Sequence, residues 1–387
     1  MKKTLLSSLF LVTILSADTF EVFLEHALQN SDALKASKLD IIIMQEQSDT
    51  LLRYNNPSLG VDYARFNPDN AKDDDGYSVQ LSQPIRLWGV GEDTQALATL
   101  MQEGAALAYL DDKSLFIKDL SLHFVAYAKM QKLLALGLEE QTLSDKIYAI
   151  AKKRFKAGNI AKKELLQTQV LMQKQAIETE ALRLKSKEAY LSLLSVSGES
   201  EMSDISSGYH FKLGKAKAKN PSILSLENAQ KKAKSQGYIA GHKVTEVTLA
   251  ARYEKEYEQD ISSLGLSFPL AVFNTKSQES RIATLKAKQL VYKKAQSEKK
   301  MALLLKKLSF QREKLYAFKI QNENVLQTEQ TLLSMFEEGY RISKSNLLEL
   351  QHAKNALIKT KQRLILLDAT LDSNIITSNY LQGVYHD

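Results

Sequence analysis

Two short stretches of the chain alternate apolar and polar residues one by one. Leu59, Val61 and Tyr63 alternate with Gly60, Asp62 and Ala64, and Tyr77, Val79 and Leu81 alternate with Ser78, Gln80 and Ser82. A period of two describes a strand with one apolar face. The same alternation returns later, at Val247, Leu249, Ala251 and Tyr253 and again at Leu264, Leu266 and Phe268. The pattern predicts strands over about 57–66, 76–87, 244–255 and 260–271. The polar, acidic segments between paired strands, Asn67 to Asp75 and Glu254 to Asp260, read as hairpin tips.

Between and beyond the strands the period changes to that of a helix. Leu97, Leu100, Leu107 and Leu110, and later Leu326, Leu332, Leu333 and Phe336, recur at three-, four- and seven-residue spacings with charges between them, as a packing seam does. The five prolines, at 57, 68, 84, 221 and 269, all lie outside the longest such stretches. A proline inside a helix costs about 3 kcal/mol, so these stretches are free to run unbroken. Helices are predicted over about 90–156, 161–197, 275–338 and 344–382. The longest would each span roughly 100 Å at 1.5 Å per residue.

The two halves are copies of one another. Leu81-Ser-Gln-Pro84 matches Leu266-Ser-Phe-Pro269, Leu97-Ala-Thr-Leu100 matches Ile282-Ala-Thr-Leu285, and Phe155-Lys-Ala-Gly158 with Glu164-Leu165 matches Tyr340-Arg-Ile-Ser343 with Glu349-Leu350. Each match has the offset 269 − 84 = 185, which argues for a duplicated unit rather than chance words. The expected organisation is a first repeat over 18–198, a connector over 199–221 and a second repeat over 222–387. Each repeat reads strand, strand, long helix, break, long helix.

Composition narrows what such a chain does. The start, Met1-Lys2-Lys3, an apolar run from Leu5 to Leu15 and then Ser16-Ala17-Asp18, has the zones of a secretory signal peptide over 1–17. Its apolar run is too short for a spanning helix, and elsewhere the sequence has no apolar stretch of helix-spanning length, so a mature protein that enters a bilayer would do so as strands. Four strands cannot close a barrel, because membrane barrels need about eight and an open edge in lipid leaves backbone groups unpaired. Three copies would supply twelve strands, with Asp62, Gln80, Ser82, Glu246 and Arg252 on a wet interior. The chain has no cysteine, hence no disulfide, thiolate metal site or lipidated cysteine. The net charge of +7 is spread along helical stretches among Glu, Asp and Gln, which describes solvated helix faces rather than a nucleic-acid surface. The histidines at 26, 123, 210, 242 and 386 show no metal-ligand spacing, and no phosphate loop or Ser/His/Asp arrangement is found, so neither a cofactor nor catalysis is expected.

The aromatic-x-x-glycine words followed by leucine-rich ones, Phe155-Lys-Ala-Gly158 with Glu164-Leu-Leu166 and Tyr340-Arg-Ile-Ser343 with Leu347-Leu-Glu-Leu350, together with Ser82-Gln-Pro-Ile85 and Leu87-Trp-Gly89, resemble the TolC-like outer-membrane efflux family over about Asp18 to Leu381. The resemblance implies a mainly α chain with a small β part. Three protomers would form a 12-stranded membrane β-barrel continued by a periplasmic α-helical barrel. It implies an outer-membrane exit duct served by a periplasmic adaptor (membrane fusion protein) and an inner-membrane pump, with the short words leaning towards pumps of the resistance-nodulation-division type. A type I protein-secretion channel is the alternative within the family, and a periplasmic adaptor or a poreless coiled coil the alternatives outside it.

By the same resemblance Glu164, Gln167, Glu349 and His352 are expected to line a gate at the periplasmic end, and Gly158, Asn159, Ile160, Ser343, Lys344 and Ser345 to form tips that meet the adaptor. Three copies of Glu349 would form a ring of negative charge; an ordinary helix-start carboxylate is the plainer account. Ser343 departs from the family's glycine and would be strained if the turn needs a positive φ. Trp88 and Phe273, at matching positions, are expected either to anchor at the membrane interface or to pack at the strand-to-helix corner.

Overall fold

The computed structural model describes residues 20–66, 74–199, 207–215, 219–256 and 259–386. The expected signal peptide, the first hairpin tip and much of the connector lie outside the described residues. Among the described residues seven helices and four strands follow in chain order: α1 Phe20–Asn30, α2 Asp32–Leu52, β1 Ser58–Phe66, β2 Asp74–Arg86, α3 Val90–Lys156, α4 Lys162–Ser197, α5 Pro221–Gly241, β3 Glu246–Lys255, β4 Asp260–Ser267, α6 Ser277–Arg341 and α7 Leu347–Leu381, then a short 3₁₀ turn at Val384–His386. Helices α3 and α6 have 67 and 65 residues. They are more than five times the usual helix length, and their pattern of widely spaced apolar positions suits packing along a neighbour rather than burial in a globule.

The strands form one antiparallel sheet in the order β1-β2-β3-β4. Registers Val61↔Val79, Leu81↔Ala251 and Leu249↔Leu266 put the apolar residues on one face, and Asp62↔Ser78 and Gln80↔Arg252 put polar ones on the other. Strand β4 stops at Ser267, short of the expected 271, because Pro269 has no N–H to continue a ladder. The apolar face is bare: Val61 is 67% and Leu264 90% exposed.

The strand-and-helix pattern did not predict α1, α2 or α5, and of these it is α2 and α5 that lead into the two strand pairs. Each of these two starts at an N-cap, Ser31 accepting from Leu34 N and Asn220 from Ser222 N. Each lies along the long helix of its own unit, at matching small residues. Ser48 donates to the Ala98 carbonyl at 3.3 Å, and Gly237, where a Cβ would touch Ala283, takes the same place in the second unit. The units therefore correspond as α2 to α5, β1 to β3, β2 to β4, α3 to α6 and α4 to α7. The first strands align Leu59 with Leu249 and Tyr63 with Tyr253, at 249 − 59 = 190, so unit two has a hairpin tip five residues shorter before the offset of 185 resumes.

Helix α3 packs on α4, α7, α2 and α5, while α6 packs on α5 and α7, so the long helices run side by side as α4, α3, α7, α6. The main core lies near mid-length, where Phe20, Phe23, Leu120, Phe124, Leu193, Phe211 and Ile376 are buried together. The described part of the connector is strapped to α7 across this level. Phe211 N and His210 reach the Asp372 carboxylate at 3.1 Å each, and Asn379 accepts from Gly214 N at 2.9 Å while donating to the Lys212 carbonyl at 2.9 Å. Burial pushes the Asp372 carboxyl above its ordinary range despite those two bonds.

Candidate functional site

The far ends of the two helical hairpins meet in a second buried cluster of Ile147, Leu333, Tyr340, Leu347, Leu350, Ala353 and Leu357. Both turns close in the same way. In the first, Gly158 N bonds the Phe155 carbonyl and Asn159 N the Arg154 carbonyl, at 3.0 and 2.9 Å. In the second, Ser343 N bonds Tyr340 and Lys344 N bonds Gly339, at 3.3 and 2.7 Å. This paired helix ending needs a left-handed residue, and φ is +76° at Gly158 and +64° at Ser343. Serine therefore holds the strained conformation expected of it, at a cost of roughly 1 kcal/mol.

The helices that leave the turns begin differently, and that difference directs the two equivalent carboxylates. Asn346 caps α7, its side chain accepting from Glu349 N at 2.9 Å while the Glu349 carboxylate accepts from Asn346 N at 3.1 Å. This capping box occupies Glu349 with its own backbone. The matching cap of α4 is Ala161, which has no side-chain acceptor. Glu164 is left to reach across to the other hairpin. Its Oε1 accepts from the Tyr340 hydroxyl at 3.0 Å and lies 4.0 Å from Arg154 Nη1.

Tyr340 is fully buried, and the Arg154 guanidinium stacks on its ring at 4.4 Å. Burial first, and the bond to Glu164 second, push the Tyr340 phenol up to about 12. Arg154 Nε and Nη1 are buried without a hydrogen-bond partner among the described residues, so ring and carboxylate are what hold this cation. Neither Tyr340 nor Arg154 was singled out from the sequence as a functional residue. The signal for the first was present: unit one has Phe155 where unit two has Tyr340, and only tyrosine brings a hydroxyl.

Of the other expected gate residues, Gln167 lies in an open groove of about 890 Å³ between the starts of α4 and α7, with Leu166, Val170, Leu171, Leu347 and Leu348. Lys162 and Lys163 also line it. His352 is exposed, one turn beyond Glu349. Gly158, Asn159, Ser343 and Lys344 are exposed at the two turns, with Ile160 and Ser345 partly covered. Below the turns a cross-unit ion pair is almost enclosed, with Lys354 Nζ 3.0 Å from Glu140 Oε1 and 3.0 Å from Ser144 Oγ. At the other end of the molecule, Trp88 is 91% and Phe273 100% exposed, so neither packs into the strand-to-helix corner of its own chain.

Among the described residues no group of His, Cys, Asp and Glu is arranged to hold a metal ion, and no helix is long and apolar enough to cross a membrane. No protein-family model and no curated protein sequence matches the chain. Solved structures do match, over nearly the whole length. They include the outer-membrane channel OprN, at 12% identity, a TM-score of 0.80, and coverage of 95% of this chain and 90% of that one. The outer membrane protein VceC from Vibrio cholerae matches at 14% identity and 0.78, covering 94% and 95%. CusC, described for transmembrane channel formation, matches at 15% and 0.79, covering 96% and 95%. The chain has the fold of the TolC-like outer-membrane channels. A periplasmic adaptor, expected to show one hairpin between two lipoyl-like halves, does not have this architecture.

Proposed function

We propose that this chain is one protomer of a trimeric duct in the outer membrane, a passive exit channel for solutes that a periplasmic adaptor and an inner-membrane pump deliver. The observation that carries the reading is the sheet. One face is apolar and bare while the other holds Asp62, Ser78, Gln80 and Arg252, and β1 and β4 are free edges. In water such a sheet would aggregate, and in lipid its edges would cost several kcal/mol per unpaired group. Three copies turn four strands into twelve, the apolar face outward to lipid and the polar face inward to water. Exposed Trp88 and Phe273 then sit at the barrel's lower rim, where aromatic side chains anchor to the membrane interface.

The helices continue the barrel wall into the periplasm, and their turns form its inner end. Glu164, Gln167, Glu349 and His352 line that constriction in the proposed trimer. The Tyr340–Glu164–Arg154 cluster ties the tip of one hairpin to the other, so it supports the closed state. The turns at Gly158–Ile160 and Ser343–Ser345 are the surface offered to the adaptor. The chain contributes no chemistry: the duct conducts, and energy is spent at the pump, here assigned to the resistance-nodulation-division type.

Conductance of the detergent-purified protein in a planar bilayer tests this reading. Small cation-selective steps that grow in the Glu349→Ala, His352→Ala variant support both pore and gate. Steps of unchanged size move the gate elsewhere, and an intact oligomer that never conducts rules out the duct.

A further inference from the structure

The internal repeat also says how one copy meets the next. Within a chain, unit one joins unit two through β2 with β3 in the sheet and α3 with α7 in the helices. In a closed ring the edge strands β4 and β1 must repeat the first contact, and α6 and α4 the second. We infer that β4 of one chain pairs antiparallel with β1 of the next copy in the register Leu264↔Tyr63 and Leu266↔Val61, an inference that rests on the trimeric reading above.

The register follows from the two offsets. Advancing β2 by 185 residues and setting β3 back by 190 turns Val79↔Tyr253 into Leu264↔Tyr63, Leu81↔Ala251 into Leu266↔Val61, and Ser78↔Glu254 into Ser263↔Ala64. Each apolar residue then meets an apolar one on the face already shared by Val61, Val79 and Leu264. A slip of one residue would turn β1's apolar set to the polar side. A slip of two would keep the faces, and there only the repeat decides.

The helices agree independently. Val125 and Ile376 lie in one buried cluster, yet their counterparts Phe310 and Leu191 are both exposed in the single chain. The shift that closes the sheet brings these two together across copies. The same shift carries the Lys354 and Ser144 contact to Gln169 and Glu329. Glu329 Oε2 is buried without a hydrogen-bond partner among the described residues, and the Gln169 amide of the next copy is the donor it lacks.

The chain contains no cysteine, so introduced pairs report cleanly. Directly opposed residues meet the 4.4–6.8 Å Cα separation of a disulfide, whereas a two-residue slip leaves the diagonal residues about 7–8 Å apart. Within one chain β1 and β4 are separated by two strands, about 14 Å, so any bond joins two copies. Two matched variants, Ser263→Cys with Ala64→Cys and Leu264→Cys with Tyr63→Cys, sample both faces. Ser263→Cys with Asp62→Cys and Gly265→Cys with Ala64→Cys are the slipped controls. After mild oxidation of the full-length protein in detergent, non-reducing gels are expected to show covalent dimers and trimers at least tenfold more abundant for the matched pairs. Stronger bonding in a slipped control overturns the register and leaves the trimer standing. A trimer by light scattering that bonds through none of the four overturns the β4–β1 pairing. Wild-type protein that is monomeric by light scattering refutes the trimeric reading itself.

Discussion

Replacing Tyr340 by Phe removes one oxygen from the centre of the tip cluster and leaves the ring that Arg154 stacks on. The lost bond is from a buried phenol to the Glu164 carboxylate at 3.0 Å. A hydrogen bond to a charged group contributes about 1.5–3 kcal/mol, but the Glu164 side chain is 30% exposed and water replaces part of it. About 1 kcal/mol per protomer is therefore the reasonable estimate, with the hydrophobic packing of the ring unchanged. In a trimer that opens in concert the three losses add to about 3 kcal/mol, a shift of roughly a hundredfold in the closed-to-open ratio. Single-channel recording at low voltage reads that ratio as open probability. The expected result is longer and larger openings with no change in trimer yield. Should an intact Tyr340→Phe trimer gate as wild type does, the cluster is packing and not a restraint, and the reasoning from its geometry is wrong.

The other predictions concern the same architecture. Gly158→Ala should cost about 1–2 kcal/mol by urea melting, since nothing stands within 4 Å of the new Cβ and the whole penalty is the left-handed backbone; Ser343→Gly should gain about 1 kcal/mol at the matching turn. Lys354→Ala should lose about 3 kcal/mol by leaving Glu140 nearly buried and unpaired, and Lys354→Met with Glu140→Gln should recover most of it. A folded-state pKa raised above the unfolded value means that Asp372 favours folding most at low pH and loses that contribution as pH rises through its folded pKa. Wild type should therefore lose stability relative to Asp372→Asn as pH rises above the ordinary carboxylate value of 3.8, and melting differences that stay flat through the acid range would contradict the assignment.

The linear order of residues determined the building blocks. Alternation at Leu59 to Ala64 and at Tyr77 to Ser82 marks strands with a single apolar face, because a period of two admits no other element. The absence of proline from Val90 to Lys156 and from Ser277 to Arg341 allows unbroken helices. The matched words at offset 185 make the second half a copy of the first, and a serine at position 343 announced strain before any φ was known.

Tertiary structure decided the rest, because it depends on which surfaces meet and local periodicity does not record that. The place of helices α2 and α5 along α3 and α6 is set by Ser48 and Gly237, small residues whose value appears only when a second helix lies against them. Asp372 and Asn379 look like ordinary polar positions until the connector crosses them. The joining of Tyr340 to Glu164 spans 176 residues and exists because one hairpin's cap is alanine and the other's is asparagine. Two equivalent glutamates thereby took different roles, one closing its own helix and one tying two hairpins together.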